Sequence, residues 1–457
     1  MSFMVPLALF GWPIVAISLF LILRPRRAVI VGYIGGWLFL PITAGYEIPG
    51  LPDYTKVVAS IIGVAIGILL FDGKRFESFK LNGIDIPIII FCLWGATSSL
   101  STGKGAWDAC STILENSIQW GFPYVVGRIY FRDLESFRDL ALGIVIGGLV
   151  YVPLCLIEVR MSPQLHIWLY GYHQHQFAQS IRFGGYRPTV FMHHGLAVAM
   201  WMVNATVLAI WMQANGTLRR YPMLLTAGVS ATLLVTTVLC KSTGALTLMM
   251  VGLAAVFAAN LLQKPWPLLL LMMISPLWMT GRTLDLINGQ IVYDLFSLLS
   301  EERAQSFQMR LDQEEEIRQI ALKTPVFGGS RWWPNGADQL WLIYFRNFGI
   351  VGIATFTAIF LVPGWVLLRR IPFKQLCLPE WAPVTGMILI IVLYTIDNLL
   401  NGLVNPIFTV VAGALSSACA VQPSGDVSSK TVAVKIAARS FGVRRKLWPA
   451  VAAERSE

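Results

Sequence analysis

The sequence predicts an all-α protein that threads a bilayer about a dozen times, and three observations carry that expectation. Hydrophobic residues make up 56% of the chain and charged residues only 13%, whereas a soluble domain carries roughly 45–50% and about 25%. The apolar residues fall in runs of about 17 to 25, the length a helix needs to cross roughly 30 Å of hydrocarbon at 1.5 Å per residue. Backbone groups in lipid must bond within their own segment, so each run is a helix.

Taken in order, the runs lie near 3–23, 28–45, 57–71, 84–100, 109–127, 139–157, 190–213, 222–239, 243–262, 265–280, 338–368, 383–400 and 403–420. The short break at Gln263 and Lys264 leaves a count of twelve or thirteen. The first run is followed, not preceded, by Arg24, Arg26 and Arg27. That reverses a signal peptide's polarity, so it is expected to stay as a span. Alternating from an outside N-terminus gathers Arg24 to Arg27, Lys74 to Lys80, Arg128 to Arg138, Arg219 and Arg220, Lys264, Arg369 to Lys374 and the tail on one side. Basic short loops mark the cytoplasmic side.

This layout divides the chain into N-terminal spans (1–158), an outer loop (159–189), central spans (190–280), a long outer loop (281–337), C-terminal spans (338–420) and a basic cytoplasmic tail (421–457). In the long loop, SEERAQSFQMRLDQEEEIRQIALK predicts a helix over 300–323, with Glu314 and Arg318 paired at i,i+4 and Arg303, Arg310, Glu314 and Arg318 on one stripe. Pro325 and Gly328-Gly329 should end it. The tail segment KIAARSFGVRRKLW suits the anionic inner surface or a disordered end.

The +10 net charge sits beside spans, where it sets orientation, so nucleic acid is not an expected partner. The six cysteines lack paired spacing and read as small core residues. No phosphate loop, serine elbow or zinc-spaced His-Glu motif is visible. His173-x-His175 and His193-His194 lack a carboxylate at helix spacing, so no metal and no cofactor are expected. The outer face instead offers Arg187, Arg310 and Lys241. A guanidinium can grip phosphate oxygens in bidentate fashion and stays charged, which suits a lipid diphosphate; snorkelling interfacial residues are the alternative. Asp397, Asn398, Asn401 and Asn405 are either an intramembrane polar site or caps of a two-helix hairpin, and caps are the expected reading.

Three patches resemble the O-antigen ligase and polymerase superfamily of bacterial membrane glycosyltransferases: YRPTVFMHHGLAVAM from Tyr186, MRLDQEEEIRQIALKTPVFGGS from Met309, and ADQLWLIYFRNFGIVGI from Ala337 with Gly349 and Gly352. The turn KSTGALTL from Lys241 is similar to the family's span-opening turn, with the basic residue displaced. Where a ligase carries histidine, this chain has Asp338 followed by Gln339, so the resemblance points to a polymerase before a ligase.

The resemblance implies metal-independent, inverting transfer of a glycan from a polyprenyl-diphosphate-linked donor to an acceptor sugar hydroxyl, on the extracytoplasmic side of the bacterial inner membrane. Arg187 and Arg310 are then the diphosphate clamp, and Asp338 is the acceptor's base, the N-cap of the next helix, or both. Lys241, Arg303, Arg318, Gln339 and Trp332 are the remaining substrate-binding candidates. Membrane lipids and other polysaccharide-assembly proteins are the expected partners. A flippase of lipid-linked sugars or a non-catalytic scaffold is the alternative; a flippase calls for half-repeats and broken helices, and the sequence suggests neither.

Overall fold

Every apolar run in the sequence becomes helix. The computed structural model describes residues 2–48, 52–289, 301–329 and 338–420, with backbone alone for 301–307 and 420. Trp332 and the basic tail lie outside the described residues.

The first half holds α1 (Met4–Ile22), α2 (Pro25–Phe39), α3 (Lys56–Phe71), α4 (Ile86–Ser101), α5 (Ala106–Asn116), α6 (Phe122–Tyr130) and α7 (Leu134–Met161). The expected span at 109–127 is α5 and α6 joined by a π-helical turn, Ser117–Gly121. A short helix, α8 (Leu165–Tyr170), and two small hairpins, β1–β2 (Gly45–Tyr46, Tyr54–Thr55) and β3–β4 (Ile181–Arg182, Gly185–Tyr186), lie in the connections. The second half holds α9 (Gly195–Ala214), α10 (Met223–Leu239), α11 (Thr243–Leu262), α12 (Trp266–Thr283), α13 (Glu301–Ala321), α14 (Leu340–Arg370), α15 (Ala382–Asp397) and α16 (Pro406–Ala420). Gln263, in the left-handed region at φ 53°, ends α11, so the runs at 243–262 and 265–280 are two helices.

Among the described residues, six helical stretches are long and apolar enough to cross a membrane by length and composition alone. The protein is a multi-pass, all-α helical bundle. Its centre is α9, 83% buried, and α15, whose residues from Ala382 to Thr395 are all buried. Peripheral α1 and α11 leave most of their apolar surface uncovered, including Leu21, Ile22 and Leu261. Lipid tails are as apolar as leucine, so such faces carry no cost there.

Helices α6 and α16 touch backbone to backbone. A Cβ on Gly127 would stand 2.1 Å from the Val410 carbonyl oxygen, and one on Gly413 would stand 2.0 Å from that of Tyr124. Below them Arg128 grips Asp85 in bidentate fashion (Nε to Oδ1 2.8 Å, Nη2 to Oδ2 2.9 Å), and the Tyr124 hydroxyl donates to the same carboxylate.

The sequence suggested no broken helix, and α14 corrects this. Gly349 has φ 65° and ψ −162°, which splits the helix after nine residues. The turn that ends α13 fills the break: Ile350 N–H donates to the Pro325 carbonyl (2.8 Å) and Gly329 N–H to that of Arg346 (2.7 Å). From α4, Ser98 Oγ and Trp94 Nε1 donate to the freed carbonyls of Asn347 (2.6 Å) and Phe348 (3.1 Å). The two glycine motifs noted in the sequence therefore meet each other.

Candidate functional site

The connection after α7 is held by a buried carboxylate. Glu158 accepts from the backbone N–H groups of Leu165 (3.0 Å), Thr189 (2.8 Å) and Val190 (2.7 Å), closing the intervening segment into a loop. Val190 sits at φ 48°, a conformation that a β-branched residue rarely adopts. Gln174 Nε2 donates to the Val190 carbonyl (3.1 Å), and Lys56 Nζ donates to that of Phe191 (3.1 Å) while lying 4.9 Å over the Trp37 ring. Such strain persists only where the surroundings over-determine it. Glu158, Gln174 and Lys56 thus fix the chain directly after Arg187. Replacing Glu158 with Gln would point an amide N–H at a backbone N–H, and an unsatisfied buried donor costs about 1–3 kcal/mol. We expect Glu158→Gln to lower the thermal midpoint in detergent and to weaken any activity that needs Arg187; an unchanged midpoint would refute the anchoring role.

Arg187 follows the β3–β4 hairpin, whose two-residue turn, Phe183 (φ 50°) and Gly184 (φ 65°), has the positive φ values of a type I′ turn. The Arg187 N–H extends the pairing to the Ser180 carbonyl (2.7 Å). The side chain is buried, and its stem passes where a Cβ on Gly195, the first residue of α9, would stand. Its Nη2 donates to the Lys241 carbonyl (3.1 Å), while Nε has no partner among the described residues. Lys241, at φ 51° in the tight turn before α11, brings its Nζ against Gly185.

Arg310 stands on α13. Its carbonyl accepts from Gln339 Nε2 (2.9 Å), and the charges of Asp338 and Asp397 are felt at its guanidinium. Burial, and then the charges of Arg182 and Arg310, lower the Arg187 guanidinium to about 10. Partial burial likewise lowers Arg310, against the pull of Asp338 and Asp397. The two arginines expected from the sequence thus feel each other's charge, although 123 positions separate them. Arg182, which the sequence did not single out, joins them; its only local signal is its place at the start of a Gly-Gly hairpin.

Helix α13 is held by Arg282 at the end of α12. Arg282 Nε meets Glu314 Oε1 at 2.5 Å, and both side chains are buried. That engagement corrects the expected Glu314–Arg318 pair. Arg318 turns instead to Glu315 (2.7 Å) and Asp285 (3.6 Å), and its hydrogen bond holds the Glu315 carboxyl below its ordinary value. Arg318 is thereby engaged in fastening the helix. Arg303 lies in the first turn of α13, for which the backbone alone is described.

Asp338 is exposed and does not cap α14; the cap position is Gln339, which makes no capping bond with its side chain. The Leu340 N–H donates to the Asn401 carbonyl (3.3 Å), which brings this helix start to the Asn-rich turn. In that turn Asn405 does cap α16, accepting from the Ile407 N–H (2.9 Å). Asp397 and Asn398 do not. Asn401 Nδ2 donates to Asp397 Oδ1 (2.8 Å), whereas Asp397 Oδ2 and both side-chain atoms of Asn398 are buried with no hydrogen-bond partner among the described residues.

Two of the histidines, His194 and His166, brace the loop backbone. His194 Nδ1 accepts from the Leu196 N–H (3.1 Å) as the N-cap of α9, so Nε2 carries the proton and donates to Gln179 (3.2 Å). Partial burial, then His175, Arg187, His193 and Arg310, push its pKa down to about 3, which keeps it neutral beside the arginines. His166 Nδ1 donates to the Tyr172 carbonyl (2.9 Å). Among the described residues no group of three His, Cys, Asp or Glu is placed to hold a metal ion. Compared with known proteins, the chain matches no family model and no curated protein.

Proposed function

We propose that this protein is a membrane glycosyltransferase. It moves a glycan from a polyprenyl-diphosphate donor to a hydroxyl of an acceptor sugar, and its loop-bearing end faces away from the cytoplasm of the bacterial inner membrane. One observation carries the reading: Arg187, bonded to the Lys241 carbonyl at the loop-bearing end of an apolar bundle, is within electrostatic reach of Arg310 and Arg182. A cluster of guanidinium groups offers a phosphate several charged donors at once. A lipid diphosphate supplies the anion and, through its tail, a reason for the site to open beside hydrocarbon.

In the reaction the acceptor oxygen attacks C1 of the donor sugar from the face opposite the diphosphate. The C1–O bond to the diphosphate breaks, its electron pair leaves with the polyprenyl diphosphate, and the acceptor proton passes to a carboxylate. Negative charge grows on the leaving group, and guanidinium groups already fixed in place stabilise it without reorganising. Chain growth requires a repeating donor, so polymerase is the form we favour, with ligase as its variant.

The break in α14 is the feature that favours a flippase. Its freed backbone groups, however, bond to α4 and to the turn after α13. The decisive experiment measures glycan length in a deletion strain complemented with wild type, Arg187→Ala or Arg310→Ala at equal membrane abundance. Each variant should lose about 10²–10³-fold in transfer, as for removal of one such donor elsewhere, and leave short lipid-linked units. Normal polymer in both variants would end the diphosphate-clamp reading and move transport or scaffolding ahead.

A further inference from the structure

Resting on the glycan-transfer reading, we infer that Asp397, not Asp338, takes the acceptor's proton, in a hydroxyl-binding subsite that it forms with Asn398 and Gln339. The argument begins with hydrogen-bonding capacity left unused. Arg187 Nε, Ser242 Oγ, Gln339 Oε1, Asp397 Oδ2 and the Asn398 amide atoms are all buried without a partner among the described residues. Each such group costs about 1–3 kcal/mol, so a concentration of them at one place calls for a ligand.

Their arrangement sorts by chemistry. Arg187 Nε and Ser242 lie on the Lys241 side, where the cations gather. Two unused acceptors, Gln339 Oε1 and Asp397 Oδ2, and the Asn398 amide, which both donates and accepts, lie on segments joined by the bonds from Gln339 to the Arg310 carbonyl, from Leu340 to Asn401 and from Asn401 to Asp397. Acceptors beside an amide match neighbouring hydroxyl groups on a ring, as a sugar presents. The anionic half of the donor and the hydroxyl-bearing acceptor thus have separate places, and the charge of Arg310 is felt at both Arg187 and Asp397.

A base must be within hydrogen-bond reach of the hydroxyl and hold its geometry. Asp397 is nine-tenths buried, and Asn401 fixes one carboxylate oxygen at 2.8 Å, leaving the other to accept. Asp338 is exposed, so water competes for it. As the acceptor O–H bond breaks and the new C1–O bond forms, the proton moves to Asp397 Oδ2, and the charge of Arg310 acts on both the carboxylate and the departing diphosphate.

The test uses the full chain in liposomes, with lipid-linked glycan extracted from the deletion strain as donor and acceptor. Asp397→Asn keeps the bond from Asn401 and should lower kcat by about 10²–10⁴-fold, the usual weight of general base catalysis. Donor KM should stay near wild type, because the lost interaction belongs to the transition state. Asp397→Glu should recover part of the rate. If Asp397→Asn does not elute as a folded species, Asn401→Ala, which frees the carboxylate without removing it, should still lower kcat. Wild-type kcat in Asp397→Asn alongside a dead Arg187→Ala overturns the inference and leaves glycan transfer standing, and a kcat loss confined to Asp338→Asn does the same. Wild-type kcat in both Asp397→Asn and Arg187→Ala overturns the transfer reading itself.

Discussion

Gly349→Ala is expected to destabilise the protein by more than about 4 kcal/mol, near the top of the range for single substitutions. The conformation at φ 65° and ψ −162° is essentially restricted to glycine, and other residues pay about 1–3 kcal/mol to adopt it. A Cβ there would also stand 2.2 Å from the Val326 carbonyl oxygen and 2.7 Å from that of Pro325. Both obstacles are backbone, so relief means withdrawing the turn after α13 and breaking its two bonds to α14. The yield of monodisperse protein and its thermal midpoint in detergent measure the effect. Gly228→Ala is the control, because a Cβ there meets nothing within 4 Å. It should be neutral or stabilising by up to about 1 kcal/mol, as for Gly→Ala at a conformation alanine tolerates. Equal midpoints for the two variants would mean that the break in α14 is not held as described.

Glu314→Ala should detach α13. It leaves the Arg282 guanidinium buried and short of a counter-charge, a change that costs about 3–5 kcal/mol. Glu315, 3.7 Å from Arg282 Nη2, can take up part of the charge, so the lower figure is expected. At about 3 kcal/mol, hydrogen exchange across Glu301–Ala321 should quicken by roughly two orders of magnitude, while α9 and α15 keep their protection. The double variant Arg282→Leu with Glu314→Leu removes both charges and should recover most of that protection, since apolar replacement of a whole buried pair is often neutral or better. Fast exchange in the double variant as well would show that packing at Leu311, Ile317 and Ala321 depends on the charges. Detachment also withdraws Arg310, so transfer should fall in Glu314→Ala in parallel with exchange.

The helices were legible because lipid leaves the sequence few choices: an apolar run of span length must be a helix, and all the runs are. The arginines were legible by type and not by partnership. Arg187 and Arg310 come within electrostatic reach only through a hairpin and a loop helix, and nothing local encodes that relation. Arg318 shows the converse, since the i,i+4 pairing with Glu314 was available but a residue on another helix, Arg282, claimed Glu314 first. Glu158 was hidden for a similar reason. Its bonds to Thr189 and Val190 span 31 and 32 positions, and the sequence shows only an acid at the end of an apolar run. In the Asn-rich turn the expectation of caps holds for Asn405 and fails for Asp397, because the same side chains serve either purpose and only their direction decides.

The contact between Gly127 and Gly413 acts as a depth gauge for the opposite end of the bundle. Helices that meet through backbone atoms interlock and resist sliding, because any shift drives a carbonyl into a neighbouring chain. Gly413 lies seven residues along α16 from Pro406, about 10 Å at 1.5 Å per residue. The turn that carries Asn398, Asn401 and Asn405 is therefore set at a fixed height by two residues that have no side chain and touch none of the chemistry. A larger residue at either glycine would raise or tilt that turn, and its first symptom would be misalignment about two helical turns away.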